Sequence, residues 1–353
     1  MPQTAPIDAA QLAGWQAVAL LYHRLFTGLL LRVALQRGAA DAGEFAFRLF
    51  RRQHQDKFLA GIDKLGLGHE PDAVKAAGYH YLANRIGGVK VEFMREHDRK
   101  AWVHFVPPRW IYDGAAICGI PTDVSRGMLR GWYAQNGTSL GNPRLGFVCT
   151  SQTTDGQPGL TGYFLEHDHA LPPDQRLRFS PGEIAPRFDP SRVPRLDTSA
   201  WTEARLARAR RTYAMDYIRT GLPILAELFG PAEAADLGRT AARLVAMQSY
   251  DDVAALLEPQ PGPEGFSRLA QQLLQAQDDN CRLTANGFRQ DTWRLMRAVP
   301  AVPDSVFPAW NGLLEGLLAV HDRFLRLDVR GRRDLGDPAF EWAVLPRAAS
   351  PIF

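Results

Sequence analysis

Three side chains that could do acid–base or nucleophilic chemistry lie in the first half of the sequence. They are His104 in an alternating apolar segment, Cys118 before a stretch typical of a helix, and Asp123 at the start of that stretch. A strand histidine is either a general base or metal ligand, or a hydrogen-bonded residue of the sheet. The helix dipole favours a thiolate at Cys118, although a small buried residue is the commoner outcome for a cysteine. Asp123 is either a helix cap or a carboxylate partner, and the three together are the predicted catalytic set.

The predicted substrate-binding residues lie around this set. Arg109, Trp110 and Tyr112 follow two prolines on a loop, where residues of a cleft tend to gather. Arg109 could hold a substrate carboxylate through a bidentate contact. Trp102, which shares a strand face with His104, and Asn142 are the other expected contacts.

The uneven distribution of titratable residues also favours a site in the first half. Eight of the nine histidines and two of the three cysteines precede residue 170. The cysteines form no CxxC pair, so neither a disulfide framework nor a structural zinc site is expected and no metal ligands are predicted. The sequence names no cofactor, since it has no GxGxxG, Walker or HExxH motif.

Composition and charge are those of a globular protein. The 353 residues are 46% hydrophobic and 22% charged, and the net charge is +3 with neutral histidines. A chain of this length forms two ordinary domains or one large one. The nearly balanced charge gives no indication of nucleic-acid binding, so the expected partner is a small-molecule substrate.

The N-terminal region is expected to be a buried helix of a soluble, cytoplasmic protein. The first ten residues lack the basic start of a signal peptide. The apolar segment 15–35 contains His23, Arg24 and Arg32, and each cation at a bilayer centre costs about 2.5–3.5 kcal/mol. No membrane span is therefore predicted.

The order of predicted elements indicates an α+β fold with an antiparallel sheet. Apolar spacing predicts a first helix from Asp8 through Leu31, a break at 37–41, a second helix from Asp41 onward and a third over 72–84. Alternation predicts a hairpin of strands 89–94 and 101–106. Thr122 or Asp123 is expected to cap a helix that ends near Gln135, and Asn136-Gly137 is expected to be a turn. Two further strands, 144–152 and 160–167, complete the sheet.

The second half looks like a degenerate copy of the first. Thr27-Gly28 finds a counterpart in Thr220-Gly221, and the segment 98–102, which ends in Trp102, is matched to 289–293, which ends in Trp293. The predicted division is a first α+β domain (1–171), a Pro-rich linker or wrapping arm (172–200) and a second domain (201–353). The two halves are expected to pack against each other as a pseudo-dimer. A homodimer of the whole chain is a further possibility.

Residues 15–168 resemble the L-2-amino-thiazoline-4-carboxylic acid hydrolase family. The resemblance rests on Cys118 with Asp123, on Leu140 to Phe147 (LGNPRLGF), on a Gly-led turn before a closing strand, and on Ala42-Gly43-Glu44 upstream. One departure concerns the last turn, where the family has Gly-Asp and then a cysteine. Here that stretch reads Gly156-Gln157-Pro158, although Gly336-Asp337 is kept in the second half.

The resemblance implies a hydrolase-like enzyme acting on a C–N or C–S bond of a small heterocycle or amide. Cys118 would be nucleophile or ligand, His104 the general base and Asp123 its partner. The alternative is a non-catalytic protein that binds or senses a small molecule between aromatic residues. A close convergence of the three residues would favour the enzyme, and an apolar cavity with the three scattered would favour the binder.

Overall fold

The computed structural model describes residues 8–108 and 114–347, and this part of the chain has the predicted α+β fold. The first half begins with three helices, then forms a sheet interrupted by short helices. Its elements in chain order are α1 (Ala9–Arg37), α2 (Ala39–Lys64), α3 (Asp72–Ile86), β1 (Val91–His97), β2 (Lys100–Phe105), α4 (Thr122–Gly131), α5 (Asn136–Ser139), β3 (Leu145–Ser151) and β4 (Leu160–Glu166).

The second half repeats this order, which confirms two similar halves. A short strand, β5 (Leu177–Phe179), stands between them. Three helices again precede a hairpin, a helix and two more strands. These elements are α6 (Glu203–Phe229), α7 (Pro231–Leu257), α8 (Gly262–Gln275), β6 (Cys281–Thr284), β7 (Gly287–Gln290), α9 (Val306–His321), β8 (Leu325–Gly331) and β9 (Phe340–Pro346).

The two sheets have the same strand order. Sheet A runs β1-β2-β4-β3-β5 and sheet B runs β6-β7-β9-β8. All pairs are antiparallel except β3 with β5, which is parallel. Each half also has a register shift at the end of its third strand, between Cys149 and Ser151 in β3 and between Val329 and Gly331 in β8. This repeated irregularity fixes the alignment of one half on the other.

The chain divides into two compact units. The central unit is Leu30–Leu206, and the terminal unit joins the chain before residue 30 to the chain after residue 206. Helix α1 thus contributes residues to both units. In the terminal unit its Tyr22 hydroxyl donates to Gln277 at 2.8 Å and accepts from Trp310 Nε1 at 2.9 Å. The predicted domain bounds and the pseudo-dimer stay predictions.

A pair of glycines lets one helix lie close against another in each half. Gly127 and Gly131 are one turn apart on α4, and a β-carbon on Gly131 would lie 2.6 Å from the carbonyl oxygen of Phe47 on α2. Gly312 and Gly316 on α9 face α7 in the same way, and the carbonyl of Arg243 occupies the space beside Gly316. Only glycine allows such an approach of two backbones.

The helix-facing side of sheet A forms the core of the central unit. Phe105 and Phe147 lie there beside Tyr133, and His80 of α3 stacks between Tyr133 and Phe164 with ring centroids 4.0 and 5.5 Å away. The opposite face carries a smaller apolar cluster of Met94, Trp102, Val148 and Tyr163.

The Pro-rich segment 172–200 packs along the sheet, as a wrapping arm would. Its strand β5 pairs with β3, and Ala185 and Phe188 pack on the cluster that contains Trp102. The Tyr163 hydroxyl donates to Glu183 of the arm at 3.0 Å. The arm therefore covers one end of the outer face of sheet A.

Two local predictions were wrong, for reasons of hydrogen bonding. Neither Thr122 nor Asp123 caps α4, because Pro121 holds the cap position and the Thr122 hydroxyl donates to Asp155 instead. Asn136-Gly137 does not form a turn but begins α5. There the Asn136 side chain is fully buried and contacts His80 Nε2 at 2.9 Å, a tertiary contact that overrides the turn preference.

Candidate functional site

His104 belongs to a row of polar residues that crosses four strands of sheet A. Glu92 of β1, His104 of β2, Thr161 of β4 and Ser151 of β3 are successive register partners. Side chains directly opposite each other on antiparallel strands lie about 4.5–5.5 Å apart at Cβ. The row therefore brings a carboxylate, an imidazole and two hydroxyls together near the end of the sheet.

The His104 ring is held by a hydrogen bond and by a close backbone. Its Nδ1 lies 2.7 Å from the Thr161 hydroxyl. Gly159, with φ of +96°, passes so close to the ring edge that a β-carbon there would lie 2.6 Å from His104 Cε1. The Ser151 hydroxyl donates to the Gly159 carbonyl at 2.8 Å and supports this turn. With Nδ1 occupied, Nε2 is the ring nitrogen left to exchange a proton with a substrate.

The second half replaces this pair with an ion pair. Aligned on the register shifts, His104 corresponds to Arg289 and Thr161 to Glu341, and those two residues are also register partners. Arg289 Nη1 lies 3.6 Å from Glu341, and Arg289 Nε lies 2.9 Å from Asp291. A guanidinium stays protonated at neutral pH, so this position cannot serve as a base in the second half.

Cys118 and Asp123 lie on the helical side of the central unit. Cys118 is an exposed free thiol in a 3₁₀ helix, Gly114–Gly119, and the neighbouring Gly119 packs against Leu31 of α1. Asp123, also exposed, is in the first turn of α4 with its Cβ beside Gly43 of α2. His104 is on the sheet face that the helices do not cover. Within residues 8–108 and 114–347, no hydrogen bond or ion pair joins the three residues to one another.

The expected substrate-binding residues have different settings. Arg109, Trp110 and Tyr112 lie outside the described residues. Trp102 is 2% exposed, belongs to the cluster under the arm, and donates from Nε1 to Glu96 at 2.7 Å. Asn142 is half-buried and bonds to Asp72 at 3.0 Å and to the Arg144 amide at 3.1 Å, so it holds a turn together.

A GxSxG pattern, Gly137-Thr138-Ser139-Leu140-Gly141, also occurs near the sheet. In a nucleophile elbow the serine stands between a strand and the helix that follows it. Here Ser139 ends the short helix α5 and precedes β3, which is the reverse order. The local structure therefore does not form such an elbow.

The turn in which the chain departs from the resembled family has the same geometry in both halves. The Gln157 side chain accepts from the amide of Gln152 at 2.7 Å, and Asp337 accepts from the amide of Arg332 at 2.6 Å. Each is preceded by a left-handed glycine, Gly156 or Gly336. The residue after the glycine thus stabilises the turn, and glutamine does so as well as an acid.

A buried polar group in the central unit contains two more histidines. His54 and His80 are 1% and 3% exposed, and burial lowers the pKa of His54 to about 4 and that of His80 well below its usual value. Arg51 Nη1 lies 3.1 Å from His54 Nδ1, so Nδ1 accepts and the proton of the neutral ring is on Nε2. Neutral and buried, these rings are part of the helical core.

Sequence reasoning missed a buried acid in the terminal unit. Asp279 is 5% exposed, and burial raises its pKa to about 6 although it accepts from the Thr292 hydroxyl and the Arg294 amide at 2.9 and 2.7 Å. The fully buried Gln290 lies near it, and the burial that raises the pKa of Cys281 to about 12 is reinforced by the Asp279 charge. The sequence feature that could have indicated this acid is the polar run from Gln277 to Asn280, between a helix and a strand. Such runs usually indicate solvent-exposed loops.

The terminal unit also has a cavity of about 310 Å³, at the lower end of the range for small-ligand pockets. It lies between the start of α8 and the β6–β7 turn. Its lining combines polar and apolar side chains, among them Glu264, Ser267, Leu283, Thr284, Asn286 and Val344.

Searches against protein-family models, curated proteins and solved structures found no match. Across the described ranges, no group of three or more His, Cys, Asp and Glu side chains could hold a metal ion. Among the described residues, helix α1 is long and apolar enough to cross a membrane, and half of its most apolar window is buried in the protein.

Proposed function

We propose that the first half is a hydrolase-like enzyme that cleaves a C–N or C–S bond in a small polar molecule, with His104 as its general base. The observation that carries the proposal is the polar row on sheet A, in which Thr161 holds the His104 ring while the second half has Arg289 and Glu341 at the same positions. If these positions served only to stabilise the fold, either the His104–Thr161 pair or the Arg289–Glu341 ion pair could have been present in both halves. The difference favours a chemical role for the imidazole.

In this proposal His104 first accepts a proton and then donates it. Nε2 accepts the proton of the attacking nucleophile as a new bond to carbon forms, and returns it to the nitrogen or sulfur that leaves. The Thr161 hydroxyl stays hydrogen-bonded to Nδ1 throughout and keeps the ring in position. Cys118 and Asp123 lie on the other side of the sheet from His104, so the attacking nucleophile in this step is a water molecule. A role for Cys118 as nucleophile and for Asp123 as acid partner stays a prediction, which Cys118→Ala tests.

The proposed substrate is a small heterocycle or amide that carries a carboxylate. This follows from the resemblance to the aminothiazoline carboxylate hydrolases and from Arg109, whose guanidinium suits a carboxylate. The Gly-Asp and cysteine that the family has in its last turn are replaced here. Since Gln157 performs the structural part of that role, the missing thiol is the departure that bears on substrate choice.

The test is turnover of a panel of cyclic and linear amides, thioamides and thiazolines, followed by mass spectrometry. We expect His104→Ala to lower kcat/KM roughly 100-fold or more, because general base catalysis contributes about that much. The matched control is Arg289→Ala, at the corresponding position of the second half, and it should leave turnover unchanged. Equal activity in His104→Ala and wild type would refute the proposal, and full activity in Cys118→Ala would remove the thiol from the mechanism.

A second candidate, a small-molecule-binding protein, is favoured by the cavity in the terminal unit. Its mixed polar and apolar lining suits a small ligand with some hydrogen-bonding groups. Thr284 is a half-exposed residue of the cavity lining, and a larger side chain at this position tests the candidate. Under this candidate, native mass spectrometry of the purified chain shows a co-purifying small molecule that Thr284→Trp excludes, while His104→Ala retains it.

A further inference from the structure

The outer edge of sheet B lacks the cover that sheet A has at the corresponding place. In sheet A the arm strand β5 pairs with β3, and six of the seven β3 residues are buried. The corresponding strand β8 is the last strand of sheet B, and only one of its seven residues is buried. Among the described residues nothing pairs with its outer side, so its backbone N–H and C=O groups on that side can accept another strand.

Exposed apolar side chains are concentrated in the part of the chain that contains β8. Val320, Phe324, Val329 and Leu335 are four of the nine large hydrophobic residues exposed in the described chain, and they fall within 16 consecutive positions. Phe324, just before β8, is 66% exposed. Val329 is 37% exposed, whereas its counterpart Cys149, next to the arm strand β5, is 2% exposed. Apolar exposure concentrated in one place indicates a surface that another molecule covers.

Within the single chain Asp328 of β8 pairs with Arg326 at 3.3 Å and with Arg330 at 2.6 Å, and the same strand charges can also pair with a second copy of β8. The regular part of β8 before its register shift is Leu325–Val329, and its midpoint is Leu327. If two such segments run antiparallel about Leu327, Arg326 lies opposite Asp328 of the partner subunit on one face. On the other face Leu325 lies opposite Val329 of the partner subunit. Opposite charges and apolar side chains that face each other across strands are stabilising.

We propose that the chain forms a two-fold homodimer through this edge, with β8 paired antiparallel to β8 of a second copy. The two four-stranded sheets then join into one continuous sheet. The symmetric pairing gives each Arg326 and each Asp328 an opposite charge across the dimer axis, and it covers Val329. The proposal is independent of any catalytic role for His104.

The test is the mass of the full chain in solution, measured by light scattering after size exclusion at micromolar concentrations. The wild type is expected at twice the chain mass. Asp328→Arg places arginines opposite each other and should lower the mass twofold. Exchanging the charges, in Arg326→Asp/Asp328→Arg, restores opposite pairs in this register and should restore the dimer.

Two further variants keep the result interpretable. Val329→Lys adds a charge at an exposed position of the same edge and should also give a monomer, so the outcome does not depend on how well Asp328→Arg folds. Arg178→Asp changes an exposed residue of β5 at the edge of sheet A and should leave the dimer intact. A monomeric wild type, a dimer that both edge variants leave intact, or an exchanged double variant that stays monomeric would overturn the proposal.

Discussion

The His104 imidazole shows how a single side chain depends on the backbone beside it. Gly159 adopts a left-handed φ and leaves just enough room for the ring that Thr161 holds. The sequence alone predicted the strand, the face and the histidine. It did not predict the threonine or the glycine, because each lies more than 50 residues away and is brought there by the pairing of β2 with β4.

We predict that Gly159→Ala destabilises the protein by more than the usual cost of placing alanine at a left-handed backbone position. The added methyl would meet both His104 Cε1 and the Phe105 carbonyl, so the ring must leave Thr161. Gly66→Ala is the matched control, since Gly66 is also left-handed but has open space around it. Urea unfolding should show a loss of about 1 kcal/mol for the control and 1–3 kcal/mol more for Gly159→Ala. Equal losses would mean that the ring is not confined.

Burial of His54 should make the protein sensitive to mild acid. Its folded pKa of about 4 lies below the unfolded value of 6.5, so the unfolded chain binds the proton first as the pH falls. The contribution of His54 to the free energy of unfolding should therefore be constant above pH 6.5 and decrease by up to about 3 kcal/mol towards pH 4. Urea midpoints at pH 7 and pH 5 should differ less in His54→Gln than in wild type. The exposed His69→Gln serves as control, and an unchanged slope in His54→Gln would contradict the assignment.

The helices and strands were mostly predictable, and the exceptions have local causes. Alternation and apolar spacing gave the three opening helices, both hairpin strands and the two later strands of the first half. The failed cap at Thr122 and the failed turn at Asn136 both involve side chains that bond to distant residues, Asp155 and His80. The match of Trp102 to Trp293 was also wrong, because Trp102 lies within β2 whereas Trp293 follows β7.

At the level of helix pairs, we expect both close crossings to require glycine. Gly131→Ala and Gly316→Ala would each push a methyl against a carbonyl of the facing helix, and backbone cannot move aside cheaply. Thermal or urea unfolding should show a loss of about 1–3 kcal/mol for each variant. Gly68→Ala, at a position with nothing within 4 Å, should cost little. Unchanged stability in Gly131→Ala would show that α2 and α4 separate readily.

Over the whole molecule, one architecture carries two different distributions of polar groups. The first half has its polar row on the outer face of sheet A, while the second half has an ion pair there and a buried acid, Asp279, on the inner side. The distribution of histidines in the sequence predicted a functional site in the first half only. That distribution could not indicate Asp279, whose unusual setting depends on burial and not on residue type.

Asp279 should give the terminal unit the opposite pH dependence to that of His54. Its folded pKa of about 6 lies above the unfolded value of 3.8, so the folded state keeps its proton longer. As the pH rises from 3.8 to 6, this residue should lower the free energy of unfolding by about 3 kcal/mol, with no further change above. Asp279→Asn should remove that part of the slope and be more stable than wild type at pH 7.5. A variant less stable at pH 7.5 would show that the carboxylate stabilises the fold.

The arm has a consequence for how the chain folds as it leaves the ribosome. Strands β1 to β4 of sheet A have all been synthesised at Glu166, but Phe188 of the arm emerges 22 residues later. During that interval Trp102 and its apolar neighbours are exposed to solvent on a four-stranded sheet. Nascent chains paused there should bind chaperones that recognise apolar segments, and release should coincide with the emergence of the arm.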